Sequence, residues 1–131
     1  MVERIEKTDD QWRALLSPDQ FRILRRGGTE PPFDNEYWDN HADGTYTCGS
    51  CLSLLFDSVD KFDSGTGWPS FSRPVEPGVV EEKVDGSLGM KRTEVLCARC
   101  GGHLGHVFDD GPAPDGRRFC MNSGSLIFNA R

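Results

Sequence analysis

Hydrophobic positions recur at helical spacing only in the first 28 residues of the chain. Trp12, Leu15 and Leu16 share one face behind Thr8-Asp9-Asp10-Gln11, a capping-box pattern with Thr8 as N-cap and Gln11 reaching back. Ser17-Pro18-Asp19-Gln20 repeats the signal, with Pro18 at the first helical position, where its missing N–H costs nothing. Phe21, Ile23 and Leu24 follow, and Gly27-Gly28 ends the segment. The pattern predicts a short helical hairpin over 1–28 that covers one side of the remaining chain.

From Thr29 to Asn40 the chain is rich in Pro, acids and aromatics, which predicts an irregular loop laid over the core. From Gly44 onward the period shortens. Strands are expected over Thr45–Cys48, Leu54–Phe56, Val79–Val84, Gly89–Leu96, His106–Phe108, Arg117–Asn122 and Leu126–Phe128. Gly and Asp cluster between them, in "DSGTG", "VDGS" and "DDGPAPDG". Short strands at this spacing predict a mainly β fold of two antiparallel sheets, as a sandwich or barrel. The only internal repeat is a pair of C-x-x-C units.

The length of 131 residues predicts a single domain over 1–131, with its β core over 44–128. Such a chain buries one modest core, which a metal or other cross-link would help. With 15 Lys+Arg against 21 Asp+Glu, the net charge is −6. That argues against a nucleic-acid binder, which needs a basic face. It favours a soluble monomer or small oligomer, and a monomer is the expectation. No apolar run reaches the roughly 20 residues that span a membrane. The polar start, Met1 to Asp10, is unlike a signal peptide, so a cytoplasmic location is expected. There, paired cysteines point to metal or redox chemistry more than to structural disulfides.

Four of the five cysteines form the pairs Cys48/Cys51 and Cys97/Cys100. Zinc takes four tetrahedral ligands and thiolates bind it well. Two residues between cysteines let one backbone turn aim both sulfurs at one ion. The 45 residues between Cys51 and Cys97 would make the ion a staple between distant parts of the chain. A rival arrangement stays open. Cys97, Cys100, His103 and His106 fall at steps of three, and a metal held by that run would leave Cys48 and Cys51 as a redox dithiol.

Cys120, in Arg117-Arg118-Phe119-Cys120-Met121-Asn122, has no partner in this scheme. On a strand, Phe119 and Met121 face the core, and Arg118, Cys120 and Asn122 share the other face. A guanidinium beside the sulfur suits a reactive cysteine, because a cation favours the thiolate. A small packed hydrophobe is the competing reading. His103 and His106 could serve as proton donors to a site at Cys120 if the strand bends, and Gly105 could supply the bend. Trp68, in "GWPSF", is either core or the wall of a small apolar pocket.

Four stretches in order, "GTYTCGSC", "DSGTGWPSF", "MKRTEVLCARCGGHLGHVFDDGP" and "RRFCMNS", strongly resemble the B-type peptide-methionine sulfoxide reductases. The similarity runs from about Asp10 to Phe128. It implies two antiparallel sheets with N-terminal helices packed against them. It also implies a structural zinc (Zn2+) at Cys48, Cys51, Cys97 and Cys100. Cys120 then matches the nucleophile. His103, His106 and Asn122 match the polar side of the site, Trp68 the wall that receives the substrate methyl group, and Arg118 the arginine beside the nucleophile. The implied reaction reduces the R epimer of methionine sulfoxide, in oxidised proteins or free, and leaves a sulfenic acid on Cys120.

The chain departs from that pattern at one place. Many relatives carry a second, resolving cysteine just before Gly-Trp-Pro, where this chain has Thr66. The expectation is therefore a one-cysteine cycle, with thioredoxin or another thiol clearing the sulfenic acid. The alternative class is a zinc-bound β module that holds a protein partner and does no chemistry.

Overall fold

The computed structural model describes residues 4–85, 92–112 and 116–131. Helices α1 (Asp9–Leu15) and α2 (Pro18–Arg26) begin at the two expected capping boxes. Thr8 Oγ1 accepts from the Gln11 amide at 3.2 Å, and Gln11 Oε1 accepts from the Thr8 amide at 2.8 Å. Ser17 and Gln20 repeat the exchange. Gly27 closes α2 at φ 69°, a left-handed conformation open to glycine at no steric cost. One expectation fails here. Leu15 is 63% exposed, because α1 ends at that residue and only Trp12 is buried along it.

Among the described residues nine strands come after the helices: β1 (Gly44–Cys48), β2 (Leu54–Asp57), β3 (Lys61–Phe62), β4 (Ser70–Phe71), β5 (Val80–Asp85), β6 (Arg92–Cys97), β7 (His103–Phe108), β8 (Arg118–Met121) and β9 (Leu126–Ala130). They form two antiparallel sheets, in the orders β2-β1-β9 and β3-β4-β8-β7-β6-β5. The two-residue strands β3 and β4 were not expected; a pair of residues shows no alternation. The strand expected from His106 starts at His103, and the start of the one expected over 89–96 lies outside the described residues.

The core between the sheets is aromatic. In β1, Gly44, Tyr46 and Cys48 are buried and alternate with Thr45 and Thr47. Tyr46 meets Phe71 at 5.1 Å between ring centroids, and Phe56 stacks on Phe71 at 4.4 Å. Phe119 and Met121 point into the same core, as the alternation of β8 required. The helices cover one side, with Trp12, Phe21 and Leu24 joining the cluster. Among the described residues no helix is long and apolar enough to cross a membrane.

Candidate active site and metal centre

The two C-x-x-C turns have one backbone design. In the first, the Leu52 amide donates to the Cys48 carbonyl at 2.9 Å, and the Cys48 amide donates to the Ser53 carbonyl at 2.8 Å. In the second, Gly101 and Gly102 play the same parts for Cys97, each at 2.8 Å. The turn demands a left-handed residue after the second cysteine. Gly101 meets it at φ 75° and Leu52 at φ 66°.

The four sulfurs converge. Cys48 Sγ lies 3.7 Å from Cys100 Sγ, Cys51 Sγ lies 3.6 Å from Cys97 Sγ, and all four are within 4.8 Å of one another. A tetrahedral ion with metal–sulfur bonds of about 2.3 Å would set its sulfurs roughly 3.8 Å apart. The donor set thus fits one metal ion. The four thiols are coupled through their mutual hydrogen bonds, which push Cys48 and Cys97 up and Cys51 and Cys100 down; a bound cation would favour the thiolate at all four. The helical hairpin seals the cluster: Leu24 lies over Gly49 and Gly102, and Arg25 reaches Cys100 Sγ at 3.7 Å and its carbonyl at 3.1 Å. The rival set is overturned, since His103 Nδ1 is engaged with Glu94 Oε2 at 2.6 Å and the four cysteines come together without it.

A second site lies in the six-stranded sheet. In β8, Cys120 pairs with Ser70 of β4 on one side and His106 of β7 on the other. A pocket of about 220 Å³ opens over it, lined by Thr66, Trp68, His106, Arg118, Cys120 and Asn122 among others. That volume suits the end of one side chain better than a drug-sized ligand.

Each group is held from behind. Trp68 Nε1 donates to the Glu30 carbonyl at 2.9 Å. Glu30 also ties down the turn after β8: its carboxylate accepts from the Ser123 amide, and from the Gly124 amide at 3.1 Å. Burial nevertheless pushes its carboxyl above the usual range. Asn122 is buried, with Nδ2 on the Leu104 carbonyl and Oδ1 on the Glu30 amide, both at 3.4 Å. Arg118 lies over the Phe108 ring at 4.5 Å and makes a two-point bond to Asp110, at 2.9 and 3.1 Å.

The two histidines share one side of β7, with ring centroids 5.5 Å apart. The register explains this: Val95 pairs with Gly105 and Leu96 with His103, so Leu104 is an extra residue in a β-bulge. The bulge therefore makes the bend expected of Gly105. Gly105 serves a different need, close approach, because a Cβ there would meet Met121 Cα at 2.9 Å and the Cys120 carbonyl carbon at 3.0 Å. His106 lines the pocket, whereas His103 stands behind it, buried against Glu94.

The expected pull of Arg118 on Cys120 is present but outweighed. Burial pushes the Cys120 thiol above its ordinary value, while Arg118 and bonds from Thr66 and Ser70 pull it down. The hydroxyls belong to a small network in which Ser64 Oγ lies 2.7 Å from Thr66 Oγ1 and 2.8 Å from Ser70 Oγ. Glu30, Asp110, Glu94, Ser64 and Ser70 carry no mark in the sequence, since nothing local identifies a residue that acts only through its neighbour.

A sheet-bound cysteine with an aromatic wall, a histidine and an arginine around it, stapled by four thiols at metal spacing, defines a thiol-chemistry protein of the mainly β class. Comparison with known proteins makes that class specific. The SelR domain family matches residues 16–130. The peptide methionine sulfoxide reductase MsrB of Thiobacillus denitrificans is 58% identical over 125 residues, covering 95% of each chain. That of Leptospira interrogans is 53% identical over 98% of each chain, and that of Herminiimonas arsenicoxydans 52% identical over 99% of this chain and 95% of its own. The chain belongs to the SelR-domain family of B-type methionine sulfoxide reductases.

Proposed function

We propose that this oxidoreductase reduces the R epimer of methionine sulfoxide to methionine, with Cys120 as nucleophile. The observation that carries the reading is the pocket itself, which sets an indole and a cluster of polar groups around one sulfur. A sulfoxide sulfur is pyramidal, with a methyl on one side and an oxygen on another. Trp68 receives the methyl, and His106, Asn122 and Arg118 face the oxygen. The mirror epimer would turn its oxygen to the indole and leave buried donors unpaired, the stronger kind of discrimination.

In the reaction the Cys120 thiol gives up its proton and its sulfur attacks the sulfoxide sulfur. The sulfur–sulfur bond so formed and the sulfur–oxygen bond both break as the oxygen passes to the Cys120 sulfur, so methionine leaves and the oxygen ends on Cys120 carrying that proton. Methionine is reduced by two electrons, and Cys120 is oxidised by two to a sulfenic acid. The raised thiol pKa fits this path, because the proton stays on the enzyme until the substrate oxygen needs it. His106 is the group that hands it across.

The cycle then needs an outside thiol. Thr66, at the position where many relatives resolve the sulfenic acid, offers Cys120 a hydroxyl, and the other four cysteines form the metal cluster. One thiol forms a mixed disulfide and releases water. A second restores Cys120 and leaves with the first as a disulfide. Thioredoxin or a small thiol such as glutathione supplies that chemistry. The ion at Cys48, Cys51, Cys97 and Cys100 is zinc in this reading, a structural staple whose four thiolates leave no coordination position open. The protein works as a monomer in a reducing compartment such as the cytoplasm, where such thiolates persist.

Cys120→Ser tests the assignment. It should abolish turnover of the R epimer and leave folding and metal content unchanged. Unfolding or metal loss in this variant would make Cys120 structural.

A further inference from the structure

A second hollow, of about 280 Å³, adjoins the Cys120 pocket and shares Trp68 with it. Its aromatic lining is Phe33, Trp38 and Trp68, and Gly65, Gly67 and Asp63 also line it. Asp39 and His41 complete its polar side, and His41 Nε2 lies 2.9 Å from Asp63 Oδ1. Between the hollows runs the turn 64–67, with Thr66 facing the Cys120 side while Ser64, Gly65 and Gly67 line the other.

Phe33 is the unusual member. It is 54% exposed, and it holds φ 61°, a conformation that costs any residue with a Cβ. The surroundings enforce it. The Phe33 amide donates to the Gly67 carbonyl at 2.8 Å, and a Cβ on Gly67 would come within 2.6 Å of the Phe33 nitrogen. Trp38 braces the ring edge-on at 5.0 Å. The fold thus tolerates a costly backbone and leaves a phenyl ring at the mouth of an apolar hollow, and such placement accompanies binding sites.

We propose that this hollow is a subsite for a large apolar side chain two residues away from methionine sulfoxide in a peptide substrate. The inference rests on the reductase reading. Atoms packed on opposite sides of one ring lie about 7 Å apart. Side chains at i and i+2 of an extended peptide point the same way, roughly 6.6 Å apart. A peptide can therefore straddle Trp68, with the sulfoxide over Cys120 and its second neighbour against Phe33. Free methionine sulfoxide leaves the subsite empty.

The test uses the full chain with excess dithiothreitol and three peptides carrying the R sulfoxide. One has Leu two positions before it, one Leu two positions after, and one Gly at both. N-acetyl-methionine sulfoxide amide is the small-substrate control. One Leu peptide should exceed the Gly peptide in kcat/KM by about tenfold, through KM. Phe33→Gly, which removes the ring and suits the positive φ, should erase that preference and leave the control within about twofold. Equal kcat/KM for all three peptides, or a preference that survives Phe33→Gly, overturns the subsite while leaving the reductase intact. An equal loss on the control would show that Phe33 acts through Trp68 or the fold, which also overturns it. No turnover of any substrate by the unaltered chain would remove the reductase reading and this inference together.

Discussion

Gly105→Ala bears on how closely the two halves of the site must meet. Gly105 pairs with Met121, and the next pair along is His106 with Cys120. An alanine Cβ would sit 2.9 Å from Met121 Cα, 3.0 Å from the Cys120 carbonyl carbon, and closer still to its oxygen. Ordinary carbon–oxygen approaches are about 3.3 Å or more. These are backbone atoms, so no side chain can swing away, and β7 and β8 must part by roughly 1 Å. The strain should cost about 1–3 kcal/mol, in the range of overpacked cores. For a chain of this size, 2 kcal/mol lowers Tm by roughly 6–10 °C. The larger effect falls on chemistry, because a displacement of about 1 Å between reacting groups costs roughly 100-fold in rate. Thermal unfolding and steady-state reduction of a sulfoxide peptide measure the two effects. A variant with unchanged Tm and more than half the activity would refute the close approach of β7 to β8 and the role assigned to their alignment.

Other consequences arise from the same structure. Arg118→Met removes the strongest pull on a thiol already raised by burial, so Cys120 should titrate higher still and iodoacetamide should alkylate it several-fold more slowly at pH 8; an unchanged rate would separate Arg118 from the sulfur. Stripping the metal with a mercurial should release one ion per chain and abolish cooperative unfolding, since a four-thiolate ion contributes about 10 kcal/mol or more, comparable to a whole domain's stability; an unshifted Tm would contradict the staple. Asp57 is bonded to Arg131 at 2.8 and 2.9 Å, which holds its carboxyl at about 2 against 3.8 unperturbed. Its contribution is therefore fully present above pH 3.8 and lost as pH falls through about 2, so Asp57→Asn should lower Tm modestly at pH 7 and much less at pH 2. An Asn variant equally destabilised at both pH values would assign the effect to packing.

Much of the fold was legible because its signals are local. Thr8, Ser17 and Gly27 mark helix ends by side-chain and backbone chemistry that acts within four residues. The alternation in β8 fixed which side of the strand Cys120 occupies. The C-x-x-C spacing implied the four-cysteine cluster, although Leu52 takes the left-handed position that Gly101 made visible in the other turn. What stayed hidden depends on distant packing. Leu104 became a bulge only against β6, and that bulge places both histidines on one side. The loop over 29–40 looked like covering, yet its Glu30 anchors Trp68, Asn122 and the turn after β8. The net shift of Cys120 was beyond reach as well, because a charge can be read from its neighbour but the depth of burial cannot.

A single turnover without added reductant shows whether Cys120 alone reduces the sulfoxide. The metal-loaded protein is mixed with a peptide carrying either epimer of methionine sulfoxide and a sulfenic-acid trap. About one methionine per chain is expected from the R epimer alone, with the trap on Cys120. An untrapped chain two hydrogens lighter would reveal a resolving cysteine and contradict the one-cysteine cycle. No methionine from either epimer, from folded and metal-loaded protein, would contradict the reductase assignment itself.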